Sequence, residues 1–221
     1  MRLRDRVPKC GPTREVAAAR TLETVTPLLR TVGVTRVADI TWLDRVGIPV
    51  FNAIVPRSHD LLSVYNGKGR TPDDARASAI MEAVERFAAW QPRTPDLVAS
   101  YDELEAAGHP VLNPADHNLA PGHAYRPDRP ISWAKGFDLL GDEPVYVPLC
   151  LAGYYVGFHE AQCFSINTTN GLASGNSLDE AICHGLCEVI ERDALTLADL
   201  VGNRLAHGQP GFGAYLRACR R

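Results

Sequence analysis

The chain has 221 residues, of which 45% are hydrophobic and 22% charged, and its formal net charge is −3. This balance is typical of a globular protein, and the charge excludes a strongly basic nucleic-acid-binding protein. The sequence contains no run of about 18 apolar residues, which excludes a transmembrane helix. Because its basic N-terminus lacks the apolar core of a signal peptide, we expect a cytoplasmic protein with neither nucleic-acid nor membrane partners.

In the first half of the chain, hydrophobic periodicity predicts an amphipathic helix over 15–32 ended by Gly33, strands within 34–42 and 48–55, and a helix from 72 to about 90. Thr71 can cap the second of these helices, and Pro72 suits its first turn. Asp73 and Asp74 place two carboxylates at the positive end of its dipole. We expect a Gly-rich turn at 66–69 just before this helix, in a position where backbone amides can bind anions.

The second half is predicted to contain a short helix over 102–107, a long loop over 108–130, a hairpin with strands in 131–140 and 143–151, a strand within 161–168, and a helix from 178 to about 200. Ser177 and Glu180 match a capping box at the start of the last helix, after a second Gly-rich turn at 170–176. The chain from Gly202 onward is predicted to be irregular.

An internal repeat relates the two long helices at a constant offset of 106 residues, from 69 to 175. The matching pairs are Gly69 and Gly175, Thr71 and Ser177, Asp73 and Asp179, Asp74 and Glu180, Ala75 and Ala181, Glu82 and Glu188, Glu85 and Glu191, Arg86 and Arg192, and Ala88 and Ala194. The match needs no gap and keeps the charged residues in step. We interpret it as a duplicated strand–turn–helix unit with copies over about 34–92 and 131–200.

Each predicted helix carries an acidic stripe opposite an apolar face. The stripes consist of Ser78, Glu82 and Glu85 in the first helix and of Glu180, Glu188 and Glu191 in the second. At about 100° per residue, each stripe spans an arc of about 60° to 80°. The apolar faces, expected to point into a core, hold Ile80, Val84 and Phe87 in the first helix and Ile182, Leu186, Val189 and Ile190 in the second.

The acidic stripes have a structural and a chemical interpretation. A solvated helix face explains any single glutamate, and Glu180 can serve only as a capping residue. If the repeats pack about a pseudo-twofold axis, however, five carboxylates converge and cannot all stay ionised without cations. Oxygen ligands suit Mg²⁺, and Arg86 and Arg192 suit a phosphate chain. The residues therefore indicate a nucleotide bound through Mg²⁺, with a structural metal site without nucleotide as the alternative.

Three stretches resemble the YcaO family. GKGRTPDDARASAIMEAVERFAAW and NTTNGLASGNSLDEAICHGLCEVIERDA resemble its two nucleotide-binding signatures, and VTRVADITWLDRVGIPVFNAIVPR is also typical of it. The resemblance covers about residues 9–198. It implies an α+β, YcaO-type fold with an internal pseudo-twofold duplication, in one domain over 1–221 that is incomplete at its C-terminus, since family members are usually much longer.

The resemblance also implies a site for ATP and Mg²⁺. The residues that it assigns to this site are Lys9, Thr13, Arg14, Ser78, Glu82, Glu85, Arg86, Asn176, Glu180, Glu188, Glu191 and Arg192. Those that it assigns to the metal are Glu82, Glu85, Glu180, Glu188 and Glu191. It identifies no catalytic side chain.

The activity that the resemblance implies is ATP-dependent activation of a peptide-bond amide oxygen in a ribosomal peptide or protein. Attack by a Cys, Ser or Thr side chain then gives an azoline, and attack by sulfide gives a thioamide. The chain resembles the standalone form of the family, which often acts with a TfuA-like partner in thioamide formation. The alternative is a non-catalytic module that binds nucleotide or peptide and assists a complete partner. A homodimer remains open.

Overall fold

The computed structural model of the chain describes residues 9–10, 14–58, 62–117, 119, 122–153 and 168–206. The chain divides into two compact units, Met1–Thr169 and Asn170–Arg221, called here the first and second units. Both helices and sheets are present, as expected for an α+β protein. In the described ranges, no helix combines the length and the apolar character needed to cross a membrane. The single domain and the repeat boundaries remain predictions.

The first unit begins with two short helices where the sequence predicts one. Helix α1 spans Ala18–Val25 and helix α2 spans Leu29–Val32, with a 3₁₀ turn over Thr26–Leu28 between them. The break falls at Pro27, which has no N–H to continue the helical hydrogen bonds. Gly33 ends α2 in the left-handed conformation, with φ of 84°, as predicted for a glycine at this position.

A three-stranded antiparallel sheet follows. Its strands are β1 (Arg36–Asp39), β2 (Val50–Ile54) and β3 (Val64–Lys68), paired in chain order. The first two were predicted, but the expected turn at 66–69 is wrong, because Asn66, Gly67 and Lys68 belong to β3. Asparagine and glycine have low β-propensity, so this strand gives little local signal.

Helix α3 (Pro72–Ala89) covers this sheet and begins where it was predicted. The Thr71 hydroxyl oxygen accepts a hydrogen bond from the Asp74 backbone N–H at 3.2 Å, which caps the helix. The core between helix and sheet contains Val32, Ala53, Val55, Tyr65, Ala79 and Ala83, with Val34, Phe51, Val84 and Phe87 packed against it. The predicted apolar face is therefore confirmed for this helix.

Gly67 allows α3 to lie unusually close to β3. An ideal Cβ placed on Gly67 would overlap the backbone nitrogen of Ala79 and the carbonyl oxygen of Ala75. Any side chain at this position would thus meet helix backbone, which has no rotamer to change. The spacing between helix and sheet depends on this glycine.

A second antiparallel sheet completes the first unit. Its elements are β4 (Leu97–Ala99), helix α4 (Tyr101–Ala106), β5 (Ile131–Asp138) and β6 (Glu143–Pro148), with strand order β4-β5-β6. The short helix and the hairpin were predicted, whereas the three-residue strand β4 was not. Trp133 on β5 is fully buried, and its indole N–H donates to the Ala99 carbonyl oxygen at 2.9 Å. This tryptophan connects β4 and β5 by a side-chain bond as well as by backbone pairing.

The described part of the second unit consists of a turn and one long helix, α5 (Leu178–Ala206). The helix extends beyond its predicted end near 200, so the expectation of irregular chain from Gly202 is wrong as far as Ala206. Residues 207–221 lie outside the described residues, as does nearly all of the strand predicted within 161–168.

Most of the apolar face predicted for α5 is exposed, although Ile182 is half-buried. Leu186 and Ile190 are 48% and 68% exposed, in contrast with the buried Ile80 of α3. In α3 the corresponding face packs against a sheet of its own unit. The described part of the second unit contains only the turn and the helix, so it provides no second layer to cover this face.

The two long helices begin with the same local structure. Ser177 Oγ accepts from the Glu180 backbone N–H at 3.2 Å, the bond that Thr71 makes in the first unit. An ideal Cβ on Gly175 would lie 2.5 Å from the Ala181 backbone nitrogen, and one on Gly69 would lie 2.6 Å from the nitrogen at the matching position of α3. Both glycines thus let the chain turn tightly onto its helix, as the internal repeat predicts.

The Thr71 cap leads to a first expected result. Thr71→Ala should lower the free energy of unfolding by about 1 kcal/mol, since the Asp74 N–H loses its acceptor. Thr71→Ser keeps the hydroxyl and should stay close to wild type. Urea unfolding followed by circular dichroism compares the three proteins, and equal stability of the alanine variant would contradict a role for the cap.

Candidate functional site

The acidic stripe of α3 surrounds an arginine. Arg86 Nη2 lies 3.6 Å from Glu82 Oε1, and Arg86 Nε lies 3.8 Å from Glu85 Oε1. The side chains of Glu85 and Arg86 are only 11% and 15% exposed, and Glu82 is 35% exposed. Ser78, the remaining member of the stripe, is exposed. These carboxylates therefore do not form a freely solvated helix face.

The geometry of this group suits ionic contact better than strong hydrogen bonding, because both distances exceed the usual N–H···O range. Two carboxylates, of Glu82 and Glu85, contact one guanidinium. Mg²⁺ in proteins is usually bound by one or two carboxylates, and Glu82 and Glu85 provide two carboxylates one helical turn apart. The arrangement can therefore attract a cation while it keeps a positive group beside it.

In the second unit, Glu188 holds the turn against α5. Its Oε2 accepts from the Gly171 backbone N–H at 3.0 Å, and its Oε1 accepts from Arg192 Nη2 at 2.6 Å. Glu188 and Arg192 are four residues apart in α5, as Glu82 and Arg86 are in α3, so the same glutamate–arginine pairing occurs in both helices. Charge-assisted bonds of this kind are short and strong, so the carboxylate has a fixed position.

Glu180 is the most deeply buried carboxylate described in this stripe, with 7% exposure. The Asn176 side-chain amide donates to its two oxygens at 3.0 and 3.3 Å. A buried carboxylate requires such donors, since desolvation would otherwise favour its neutral form. Asn176, which the family resemblance implies as a nucleotide contact, positions Glu180.

The remaining predicted residues are Lys9, Thr13, Arg14 and Glu191. Glu191 is an exposed residue of α5. Lys9 is exposed and Arg14 is half-buried, in the stretch before α1 where the Cys10 N–H bonds to the Arg14 carbonyl oxygen at 2.7 Å. Thr13 lies outside the described residues.

Each unit by itself shows part of the predicted site. The first brings together Glu82, Glu85 and Arg86, and the second pairs Glu188 with Arg192 and Asn176 with Glu180. Within either unit, the described residues contain no group of three carboxylate, imidazole or thiol side chains close enough to hold a metal. Because the predicted metal set takes carboxylates from both helices, it remains a prediction.

Sequence reasoning missed Gly171. Its N–H bonds to Glu188, and its carbonyl oxygen lies where a Cβ on Gly185 would come within 2.6 Å. A backbone donor has no signature in the amino-acid sequence. Gly185 lies in the middle of a helix, where a glycine is unfavourable unless another chain segment comes close, and this is the sequence feature that points to the contact.

Comparison with known proteins places these features in a family. Residues 66–219 match the family model described as YcaO cyclodehydratase, ATP- and Mg²⁺-binding, which names the two predicted cofactors. An uncharacterized protein of Methanothermobacter thermautotrophicus is 42% identical over 185 residues, 82% of this chain and 46% of that protein. A Rhizobium leguminosarum bv. trifolii protein, named for its position in the tfuA 3′ region, is 40% identical over 85% of this chain and 44% of its own length. The chain thus spans less than half of these relatives.

Two solved structures are similar to the chain. YcaO from Methanopyrus kandleri, bound with AMPPCP and Mg²⁺, has a TM-score of 0.63 and 32% identity, over 85% of this chain and 46% of that one. A heterocyclase in complex with substrate and cofactor has a TM-score of 0.72 and 23% identity, over 88% of this chain and 30% of that one, and shows likeness of fold alone. With the family match over most of its length, the chain belongs to the YcaO family and has the α+β fold of that family.

Proposed function

We propose that the chain takes part in ATP- and Mg²⁺-dependent activation of backbone amides in a ribosomal peptide or protein. The observation that carries the proposal is the pairing of glutamate and arginine one turn apart in both signature helices, Glu82 with Arg86 and Glu188 with Arg192. The family description as an ATP- and Mg²⁺-binding cyclodehydratase supports the same cofactors.

The residues fit these cofactors by the chemistry of their donor atoms. Carboxylate oxygens are hard ligands that suit Mg²⁺, and guanidinium groups suit phosphate oxygens. We assign the metal to Glu82, Glu85, Glu180, Glu188 and Glu191, and contacts with the nucleotide also to Lys9, Thr13, Arg14, Ser78, Arg86, Asn176 and Arg192. Asn176 orients Glu180, and the Gly171 N–H orients Glu188.

ATP supplies the phosphoryl group that turns a poor leaving group, the amide oxygen, into phosphate. In this proposal the arginines neutralise charge on the phosphate chain, and the carboxylates hold the metal that does the same. A Cys, Ser or Thr side chain of the peptide then attacks the amide carbon and yields an azoline, or sulfide attacks it and yields a thioamide. We favour the thioamide and a TfuA-like partner, because a relative is encoded in a tfuA 3′ region.

Thermal unfolding with and without Mg²⁺-ATP tests the cofactor assignment. A ligand at about 100 times its Kd adds about 2.7 kcal/mol, which raises the midpoint by several degrees for a chain of this size. The double variant Glu82→Gln/Glu191→Gln should lose most of the shift. Glu143→Gln, which removes a charge from an exposed hairpin position, should keep it.

Two results would contradict the assignment. A folded wild-type chain whose midpoint does not change with Mg²⁺-ATP would count against nucleotide binding. A double variant that responds like wild type would show that nucleotide binds without these glutamates.

A non-catalytic module is the second candidate. Such a module would bind nucleotide or peptide and assist a complete partner. Phosphate release with ATP, Mg²⁺ and candidate precursor peptides, with and without sulfide, distinguishes the two. Peptide-dependent release by the chain alone indicates an enzyme, and binding without release indicates the module.

A further inference from the structure

The first sheet has two faces with different side chains. On one face, Phe51, Ala53 and Tyr65 belong to the core beneath α3. Because side chains alternate along each strand, the residues next to them point to the opposite face. We call this opposite face the Asn52 face, and it carries Arg36, Val50, Asn52, Ile54, Asn66 and Lys68.

Two asparagines lie opposite each other at the centre of the Asn52 face. Asn52 is the middle residue of the central strand β2, and it is paired in register with Asn66 of β3. The Val55 N–H donates to the Ser63 carbonyl oxygen at 2.8 Å, so the hydrogen-bonded pairs of these strands fall on the odd-numbered residues of β2. Asn52 and Asn66 thus form a non-hydrogen-bonded pair, in which the Cα atoms are about 4.5 Å apart and the side chains are adjacent.

The side-chain oxygen of Asn52 is buried and accepts no hydrogen bond from the residues that the structure describes. Buried acceptors are nearly always paired, because the loss of water without a replacement donor is unfavourable. The unpaired oxygen indicates that a ligand supplies the donor. A backbone N–H of a peptide is a donor of the right kind, and the asparagine amide can also donate to a backbone carbonyl oxygen.

The charged residues of the Asn52 face are all basic. Arg36 and Lys68 are both exposed. The acidic residue of these strands, Asp39, is paired with Phe51 and therefore belongs to the other face. The Asn52 face thus carries two positive charges, which attract carboxylates.

The two basic residues are at diagonally opposite corners of the face. Arg36 pairs with Ile54 on one side of β2, and Lys68 pairs with Val50 on the other side. The rise along a strand and the spacing between strands place the Cα atoms of Arg36 and Lys68 about 17 Å apart. An extended peptide covers this distance in about five residues. The corners therefore fit a segment whose acidic side chains are separated by about four to six positions.

The remaining surface of the face is apolar. Val50 and Ile54 flank Asn52 on β2, and both are half-buried. A phosphate ligand would need the two cations alone, whereas the asparagine pair matches the donor and the acceptor of a peptide unit. The combination of amides, cations and apolar side chains favours an extended acidic peptide as the ligand.

We propose that the Asn52 face binds the acceptor peptide through an acidic, extended segment. A backbone N–H of the segment donates to the Asn52 side-chain oxygen, and Asn66 pairs with the adjoining peptide unit. Arg36 and Lys68 each contact a carboxylate of the segment. The identity of this peptide as the acceptor rests on the proposed function, but the Asn52 face contains none of the residues assigned to ATP or Mg²⁺.

Fluorescence anisotropy of a labelled decapeptide tests the site, with the full chain at low ionic strength and without ATP or Mg²⁺. The peptide carries glutamate, valine and glutamate at alternate positions, separated and flanked by serines. The matched peptide has lysines in place of the glutamates. We expect the glutamate peptide to bind at least about tenfold more tightly than the lysine peptide.

Charge reversal in the protein should reverse this preference. Arg36→Glu and Lys68→Glu should each weaken binding of the glutamate peptide by about fivefold or more, and the double variant should prefer the lysine peptide. Arg76→Glu, an equal charge change at an exposed position of α3, should leave both affinities unchanged.

Asn52→Leu separates binding from folding. It should weaken binding of the glutamate peptide by about fivefold, while the thermal midpoint of the free chain stays the same or rises, because an unpaired buried acceptor is removed. A large fall in the midpoint would assign Asn52 a structural role and overturn its role in binding.

Three results overturn the peptide site: a folded chain that binds neither peptide, equal binding of both peptides, or binding that Arg36→Glu and Asn52→Leu leave intact. The thermal shift with Mg²⁺-ATP distinguishes this failure from failure of the proposed function. A normal shift without peptide binding overturns the peptide site alone. Selective peptide binding without a shift supports the peptide site and counts against the cofactor assignment.

Discussion

Replacing Gly67 with alanine should lower the free energy of unfolding by about 3 kcal/mol or more, or prevent the first unit from folding. The added Cβ would overlap the backbone of α3 at Ala75 and Ala79. Backbone atoms of a helix cannot rotate away, so the whole helix would have to move off the sheet. That movement would also take Ala83 out of the core.

Gly153→Ala is the matched control, because a Cβ at Gly153 meets no atom within 4 Å and the residue has no positive φ. It should stay within about 0.5 kcal/mol of wild type. Urea unfolding followed by tryptophan fluorescence measures both variants. If Gly67→Ala matched the control, α3 would lie farther from β3 than the structure shows.

Trp133→Ala should lower the free energy of unfolding by about 3–5 kcal/mol, the usual cost of removing a fully buried aromatic side chain. The loss combines the transfer of the ring, the cavity it leaves between β4 and α4, and the lost hydrogen bond to the Ala99 carbonyl oxygen. The second sheet should be the part that loosens, since Trp133 joins its strands.

Trp133→Phe separates these contributions. It keeps most of the apolar volume but removes the indole N–H, so its loss should fall between wild type and the alanine variant. Hydrogen exchange of the β4 and β5 amides locates the change. A cost below about 1 kcal/mol for Trp133→Ala would show that the second sheet does not depend on this side chain.

Local signals in the sequence were sufficient for the starts of the long helices. Thr71 and Ser177 cap their helices as predicted, because a capping bond joins residues only three positions apart. The left-handed Gly33 and the hairpin turn, where Asp142 has φ of 51°, also follow from short-range chemistry. These features depend on a few residues that are close together in the chain, so the sequence is sufficient to predict them.

Features set by packing were not predictable in the same way. Strand β3 contains Asn66 and Gly67, which look like a turn until the helix that lies on them is known. The apolar residues of α5 have a core-like pattern, yet Leu186 and Ile190 are exposed. Periodicity shows which residues share a face but does not show what covers it.

The candidate site also has features that the sequence predicts and features that depend on packing. The helical repeat predicts that the glutamates of each stripe share one face, and the structure adds the ion pairs of Glu82 with Arg86 and of Glu188 with Arg192. The helical repeat does not predict that the backbone of Gly171 bonds to a carboxylate seventeen residues away. Whether the two helices share a metal depends on contacts between segments far apart in the chain, which a pattern of residue types does not contain.

In both units a glycine allows the long helix to lie close to another backbone segment, but the glycine is at a different place in each. In the first, the glycine is on the strand, where Gly67 lies against α3, and in the second it is on the helix, where Gly185 lies against the Gly171 carbonyl oxygen. In a residue-by-residue alignment of the two copies these positions are mismatches, although each glycine allows a similarly close approach of two backbone segments. Under the predicted duplication, such an exchange lets two copies differ in sequence while each keeps one close backbone approach, so identity between the copies understates their relation.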